Sequence, residues 1–73
     1  MTQTEILDDL FSYHAPRPDQ IPKYGAVRTA ARYFAQVLMD NVPPGADRTA
    51  AIRLLRECVM TANAGIALDG RGL

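Results

Sequence analysis

Arg53, Arg56, Met60 and Asn63 recur at spacings of three, four and three, which on a helix puts two guanidinium groups, a thioether and an amide on one face. Upstream, Tyr24, Arg28, Arg32 and Gln36 recur every four residues and form a second, mostly polar stripe. A guanidinium presents planar, forked donors that match phosphate in bidentate fashion. Tyr13 and Tyr24, with His14 and Lys23 adjacent to them, stand near the start of the second stripe, and Tyr33 follows a little further on. An aromatic face stacks on a nucleobase with a gain of about 1–3 kcal/mol per base. Rings beside arginines therefore suit a small nucleotide. The alternatives are that the arginines are solvated helix faces, that the tyrosines pack at a helix or subunit boundary, and that Met60 fills a core or an interface.

Catalysis finds little support in the same residues. His14 lies in the loop-like segment YHAPRP without a cysteine or serine partner at a recognisable spacing, and Ser12 lies in no G-x-S-x-G elbow. There is no Gly-rich phosphate loop, no H-E-x-x-H and no calcium-loop pattern, so an enzyme is not expected. One cysteine and one histidine cannot make a four-ligand zinc site, and no metal or other cofactor is expected. Cys58 cannot form an intrachain disulfide; it is expected to be a small buried hydrophobe in a reducing compartment.

Eight basic and eight acidic residues give zero net charge, which argues against a protein built to hold DNA or RNA through its phosphates. The charge is uneven, however. Glu5, Asp8 and Asp9 precede the first base, Arg17, whereas Arg28, Arg32, Arg48, Arg53 and Arg56 fall within two long helical stretches, so a local cationic pocket fits inside a neutral protein. No apolar run has the length of a transmembrane helix, and residues 1–12 lack the basic start and apolar stretch of a signal peptide; a cytosolic protein without membrane contact is expected.

The elements that must position these side chains are helices. Residues 2–12 carry Ile6, Leu7, Leu10 and Phe11 at helical spacing, with Thr2 or Thr4 as a cap. Pro16 and Pro18 interrupt, and a second helix runs over about 19–41 with Pro22 in its first turn, presenting Val27, Ala30, Ala31, Phe34 and Leu38 on one side with Val37 beside them. Pro43 and Pro44 stop it. A third helix spans about 47–68, with Asp47 as its cap and Gly70 as the left-handed residue after its end. Its apolar face is Ile52, Leu55, Val59, Ala62 and Ile66, widened by Leu54, Cys58 and Leu68. The run Ala62, Asn63, Ala64, Gly65 predicts a close approach by another backbone, and residues 70–73 read as a frayed tail. The connection NVPPGA is short enough to make the two long helices antiparallel.

The fold expected for residues 1–73 is thus one all-α domain, a hairpin of two helices of roughly 33 Å each with a short N-terminal helix attached. A chain of 73 residues supplies little core of its own. Without disulfide or metal, self-association as a homo-oligomer is the remedy left.

The combination of F-x-Y-H-x-P, D-Q-I-x-x-Y-x-A-V-R, P-x-x-x-D-R-x-x-A-I and L-R-E-x-V-M-x-A-N-A-x-I-A resembles the helical hairpin domain of phage anti-defence sponge proteins, the anti-CBASS and anti-Thoeris proteins. The matching residues are Phe11, Tyr13, His14, Pro16, Asp19, Gln20, Tyr24, Arg28, Asp47, Arg48, Arg56, Met60, Ala62, Asn63 and Ile66, so the resemblance runs from about Phe11 to Ala67. It implies a compact hexamer that holds cyclic di- or trinucleotides, or cyclic ADP-ribose isomers, between subunits without cleaving them. That would starve a host immune effector in the cytoplasm of the infected bacterium. Thr61 stands where members often carry an aromatic residue, which leaves stacking to Tyr13, His14 or Tyr24. The long β-rich addition of the anti-Thoeris branch is not in this sequence, which suits the hairpin-only branch.

The residue pattern and the resemblance together give Tyr13, His14, Lys23, Tyr24, Arg28, Arg53, Arg56, Met60, Thr61 and Asn63 as the expected ligand-binding residues: arginines on phosphates, rings on bases, Asn63 or Thr61 on base edges or ribose. The competing expectation is a small helical oligomerisation or protein-interaction module whose arginines are solvated and which takes no small-molecule ligand.

Overall fold

Thr2 opens the first element through a reciprocal cap: its Oγ1 accepts from the Glu5 backbone N–H at 3.2 Å while the Glu5 carboxylate accepts from the Thr2 N–H at 3.4 Å. In the computed structural model, which describes residues 2–72, this cap starts α1, Gln3–Leu10. Pro16 and Pro18 keep the following connector out of helical geometry until α2 begins at Ile21 and runs to Asn41. Val42, forced to extended backbone by the proline after it, ends α2. After the short link through Gly45, α3 covers Ala46–Leu68. Among the described residues the architecture is three helices and no strand, with α2 and α3 packed against each other.

The ends of α3 differ from those expected by a residue or two. Gly45 is the N-cap and no side chain caps the helix, because Asp47 already lies in the first turn; there it is a favourable charge at the positive end of the dipole and not a cap. At the other end Asp69 is the left-handed residue, with φ 53°, and Gly70 follows at φ 77°. The Gly70 N–H donates to the Gly65 carbonyl at 3.1 Å and the Asp69 N–H to the Ile66 carbonyl at 3.1 Å, the paired bonds of a Schellman termination.

The seam between the long helices takes Tyr24, Val27, Ala31, Ala35 and Leu38 from α2 and Ile52, Leu55, Val59, Ala62 and Ile66 from α3, all half-buried. Ala30, Phe34 and Val37, expected on the core side, face outward, with Phe34 54 % exposed. Two helices bury one stripe each, and the stripe through Ala31 and Ala35 turns its neighbours about 100° away. Leu54, 58 % exposed, and Cys58 are likewise on the outside, which corrects the expectation of a buried thiol. Among the described residues no atom outside its own stretch of helix comes within 4 Å of where a β-carbon would sit at Gly65, so the predicted close approach is not made by them within one chain.

No hydrophobic residue among those described is fully buried; the one buried residue is polar, Gln20, at 3 % exposure. Its amide Nε2 donates to the Ile66 carbonyl at 2.8 Å and its Oε1 accepts from the Arg17 N–H at 3.0 Å, stitching the start of α2 to the end of α3. The chain extends 48 × 26 × 15 Å with a radius of gyration of 15.6 Å, against about 11 Å for a compact domain of this length. Its accessible surface is 5676 Å², where a folded monomer of this mass would show about 4450 Å².

Candidate functional site

Antiparallel packing brings the arginine stripes of α2 and α3 onto the same side of the hairpin. The central hollow, of 320 Å³, has a floor of Ala31, Ala35, Ile52, Leu55 and Val59, with Arg28, Arg32, Arg56 and Met60 around it. Arg28 is also part of the wall of a neighbouring hollow with Pro16, Ile21 and Tyr24. Arg56 does the same at the other end, where Arg48, Thr49, Arg53 and Met39 complete a hollow of 460 Å³. Adjacent hollows share these arginines and together line one open groove, and each of the three is within the size range of small-molecule sites.

The chemistry of the groove is an apolar floor with cationic walls. Among the described residues, Arg28, Arg32, Arg48, Arg53 and Arg56 have no carboxylate oxygen within 4.0 Å. Arg32 donates from Nη1 to Gln36 Oε1 at 3.1 Å, and Gln36 passes a bond on to Asp40 at 2.9 Å, which steadies this guanidinium without neutralising it. Unpaired guanidinium groups beside an apolar surface can take a ligand that combines phosphate with flat, hydrophobic faces. The groove's lining includes no carboxylate, imidazole or thiol among the described residues.

Of the residues expected at a ligand site, Tyr24, Arg28, Arg53, Arg56 and Met60 line the groove. The walls form without Lys23, Thr61 and Asn63: Lys23 and Thr61 are exposed, and Asn63, one turn beyond Met60, is half-buried. Tyr13 stands in the α1–α2 connector, 87 % exposed. His14 points back to α1, its Nε2 2.7 Å from the Asp9 carbonyl oxygen, and is not part of the groove. Arg32 and Arg48 join the walls although neither stood among the expected ligand residues. Their signal was available: Arg32 is one turn from Arg28, and Arg48 and Ile52 are one turn apart on α3.

The opposite pattern of charge surrounds the connector. Arg17 binds Asp19 (Nε to Oδ1, 3.1 Å) and approaches Asp69 (3.6 Å), and Arg71 binds Asp9 (3.0 Å). The hydrogen bond from Arg71 holds the Asp9 carboxyl below its usual range, and Arg17 does the same for Asp19; each guanidinium is raised in return. These pairs fasten the termini of elements and leave the groove's arginines uncompensated.

No helix is long and apolar enough to cross a membrane among the described residues. No curated protein and no solved structure matches the chain. The sequence model of one family, Acb2/Tad1, hairpin domain, matches residues 3–67. A three-helix hairpin with a cationic groove, matched over most of its length, places this chain in the Acb2/Tad1 hairpin-domain family, the family of anti-CBASS and anti-Thoeris sponge proteins.

Proposed function

We propose that this protein binds cyclic oligonucleotide immune signals, cyclic di- or trinucleotides or cyclic ADP-ribose isomers, and sequesters them without cleaving them, so that CBASS-type or Thoeris signalling fails in the cytoplasm of the infected bacterium. The observation that carries the reading is the row of guanidinium groups without a carboxylate partner among the described residues along an apolar groove, with Arg28 and Arg56 shared between adjacent hollows. Phosphates settle on Arg28, Arg53 and Arg56, and the flat bases on the aliphatic floor, Met60 and Tyr24. In this reading the ligand is held intact: the groove's polar lining of arginines, Thr49 and Tyr24 serves to bind it.

The working form is a homo-oligomer, a hexamer in keeping with the family resemblance. The surface in excess of that of a folded monomer of this mass is roughly 1200 Å² per chain, more than the roughly 800 Å² each partner contributes to a stable interface. Outward-facing Tyr33, Phe34 and Leu54 are the apolar side chains such an interface would cover. Tyr13, Lys23, Thr61 and Asn63, which stand off the groove of their own chain, reach the ligand from a neighbouring copy, while His14 bonds the end of α1 beside Tyr13. The same apolar surface favours a second reading, a helical oligomerisation module with no small-molecule ligand.

Native mass spectrometry with and without a mixed panel of cyclic di- and trinucleotides and cyclic ADP-ribose isomers separates the two. A hexamer that gains stoichiometric, intact nucleotide is the expected result. An oligomer that gains nothing would leave the interaction module as the function.

A further inference from the structure

The first helix and the last described residues meet away from the groove. Asp8 and Asp9 occupy the last turn of α1, which has no basic residue of its own, although the helix dipole is negative there and disfavours a carboxylate. Asp9 is compensated from outside the helix. Arg71 reaches it with two prongs, Nε to Oδ2 at 3.0 Å and Nη2 to Oδ1 at 3.3 Å. His14 Nε2 lies 2.7 Å from the Asp9 carbonyl oxygen and 3.6 Å from Oδ1; donating to that carbonyl, it satisfies an acceptor that the end of a helix leaves open. The tail comes so close that a β-carbon at Gly72 would lie 3.4 Å from Leu10 Cδ2. The tail expected to fray is thus fastened to α1 as far as Gly72, while Leu73 lies outside the described residues.

No residue of α1 is fully buried and, of its apolar residues, Ile6 and Leu10 are half-buried, so these polar contacts add to limited packing in setting where its C-terminal end lies. The connector is pinned again downstream, by Arg17 on Asp69 and by Gln20 on the Ile66 carbonyl. Tyr13 stands between the two anchors, immediately before His14 and 87 % exposed. An exposed ring on an anchored backbone has lost conformational freedom without gaining contact area inside the chain. That cost is recovered when the ring meets something from outside.

We propose that Asp9, His14 and Arg71 form a clamp that holds Tyr13 ready to stack on a ligand base, with Arg71 as the positioning residue. Arg71 lies beyond residues 3–67 that match the family model, so the clamp is not part of the matched hairpin. The inference rests on the sequestration reading, in which Tyr13 contacts the ligand. The clamp moves the ordering of the connector from the binding step to the folding step. Removing it should weaken binding by roughly three- to tenfold, the cost of fixing one or a few side chains on association.

The test measures the full chain in two ways. Hydrogen exchange without ligand should quicken across residues 3–15 in Arg71→Ala and in Asp9→Asn, with residues 21–68 unchanged; unchanged exchange over residues 3–15 would show that no clamp exists. Affinity is then measured by calorimetry with cyclic di-AMP, 3′,3′-cyclic GMP–AMP and cyclic tri-AMP as probes. Tyr13→Ala should lose more affinity than Arg71→Ala, and adding Arg71→Ala to Tyr13→Ala should lose nothing further, because Arg71 acts only through that ring. Equal affinity in Arg71→Ala and the wild type, or fully additive losses in the double variant, would overturn the positioning role. Failure of the wild type to bind any of these probes, or a cyclic ADP-ribose isomer run in the same series, would end the sequestration reading and the positioning role together, with the clamp itself then judged by the exchange data alone.

Discussion

Arginine is used in opposite ways in two regions of this molecule. Around the α1–α2 connector, Arg17 sits on its near neighbour Asp19 and approaches Asp69, and Arg71 sits on Asp9, so that two of the three pairs join chain segments that are distant in sequence. Along the groove, Arg28, Arg32, Arg48, Arg53 and Arg56 have no such partner among the described residues, and the floor beneath them is aliphatic. A net charge of zero conceals this division. Cations that already hold an anion contribute to shape, whereas cations left beside an apolar surface keep their donors for an anion that the chain does not contain. The comparison is sharpest where it can be broken.

Arg28→Ala and Arg56→Ala should have the largest effect. Each removes a guanidinium shared between two hollows, and a charge-assisted hydrogen bond contributes about 1.5–3 kcal/mol, so the pair of substitutions should reduce capture of a cyclic nucleotide by at least roughly a hundredfold. Folding should hardly change, since neither side chain has a carboxylate partner; thermal stability should stay within about 0.5 kcal/mol. Isothermal calorimetry together with thermal unfolding measures both quantities. Unaltered capture would return the groove to the status of a solvated face.

Gln20→Ala should do the reverse. The side chain is buried and its two hydrogen bonds join Arg17 and Ile66, so removing it leaves the Arg17 N–H without its partner and the Ile66 carbonyl with only the Asp69 N–H, at a cost of about 1–3 kcal/mol. For a chain of this size the melting temperature should fall by roughly 4–8 °C per kcal/mol, while ligand affinity at a temperature where the protein remains folded changes little. A melting temperature equal to that of the wild type would mean that the packing of α2 on α3 does not depend on this stitch.

Much of the fold was legible because its determinants are local. Thr2 and Glu5 are three residues apart, Pro22 marks a first turn, and Pro43 with Pro44 marks a stop, each decided by neighbours a turn away. What escaped depends on contacts across the chain. Gln20 meets a carbonyl 46 positions on, and Arg71 meets Asp9 across 62 positions, so neither periodicity nor capping could reveal them. Phe34 was misplaced for a related reason: an alternative stripe lies only one residue, about 100°, from the true one, and which stripe is buried is set by the partner helix. The site divides in the same way. The rows Arg28–Arg32 and Arg53–Arg56–Met60 follow from helical spacing, but their convergence on one groove depends on how α2 and α3 are rotated about their own axes. His14 adds a contact of the same kind that spacing does not signal, its Nε2 lying 2.7 Å from the Asp9 carbonyl oxygen at the end of α1.

A smaller substitution tests whether the unpaired state itself matters. Met60 lies one turn beyond Arg56 on the groove wall. Met60→Glu would give Arg56 the carboxylate that its counterparts near the connector already have, adding about 0.3–0.5 kcal/mol of helix stability at most. Capture should fall roughly tenfold below that of Met60→Gln, a side chain of the same length without charge, because the new anion occupies the donors and repels phosphate. Equal capture by the two variants would mean that Arg56 does not face the ligand's charge.

The smallest effect is a titration confined to the connector. The Asp9 carboxyl is held below its ordinary value of 3.8, first by the hydrogen bond from Arg71 and then by the charges of Arg71 and His14. Asp19 is lowered in the same way, first by the hydrogen bond from Arg17 and then by the charges of Arg17 and Lys23. A carboxyl with a depressed value in the folded state contributes stability that is complete above its unfolded value and is lost as pH falls through the folded one. The clamp should therefore be intact at pH 5 and release below about pH 3.8, while the guanidinium groups of the groove keep their charge throughout. Following the Arg71 Nε–H resonance by NMR between pH 6 and pH 2.5 would record the release, and circular dichroism would record the long helices in the same samples. Loss of the Arg71 signal environment already complete at pH 5 would assign the clamp to some other titrating group. Helices melting in step with it would mean that the connector and the hairpin are one cooperative unit, and the contrast between paired and unpaired arginines would then describe two faces of a single structure instead of two separable regions.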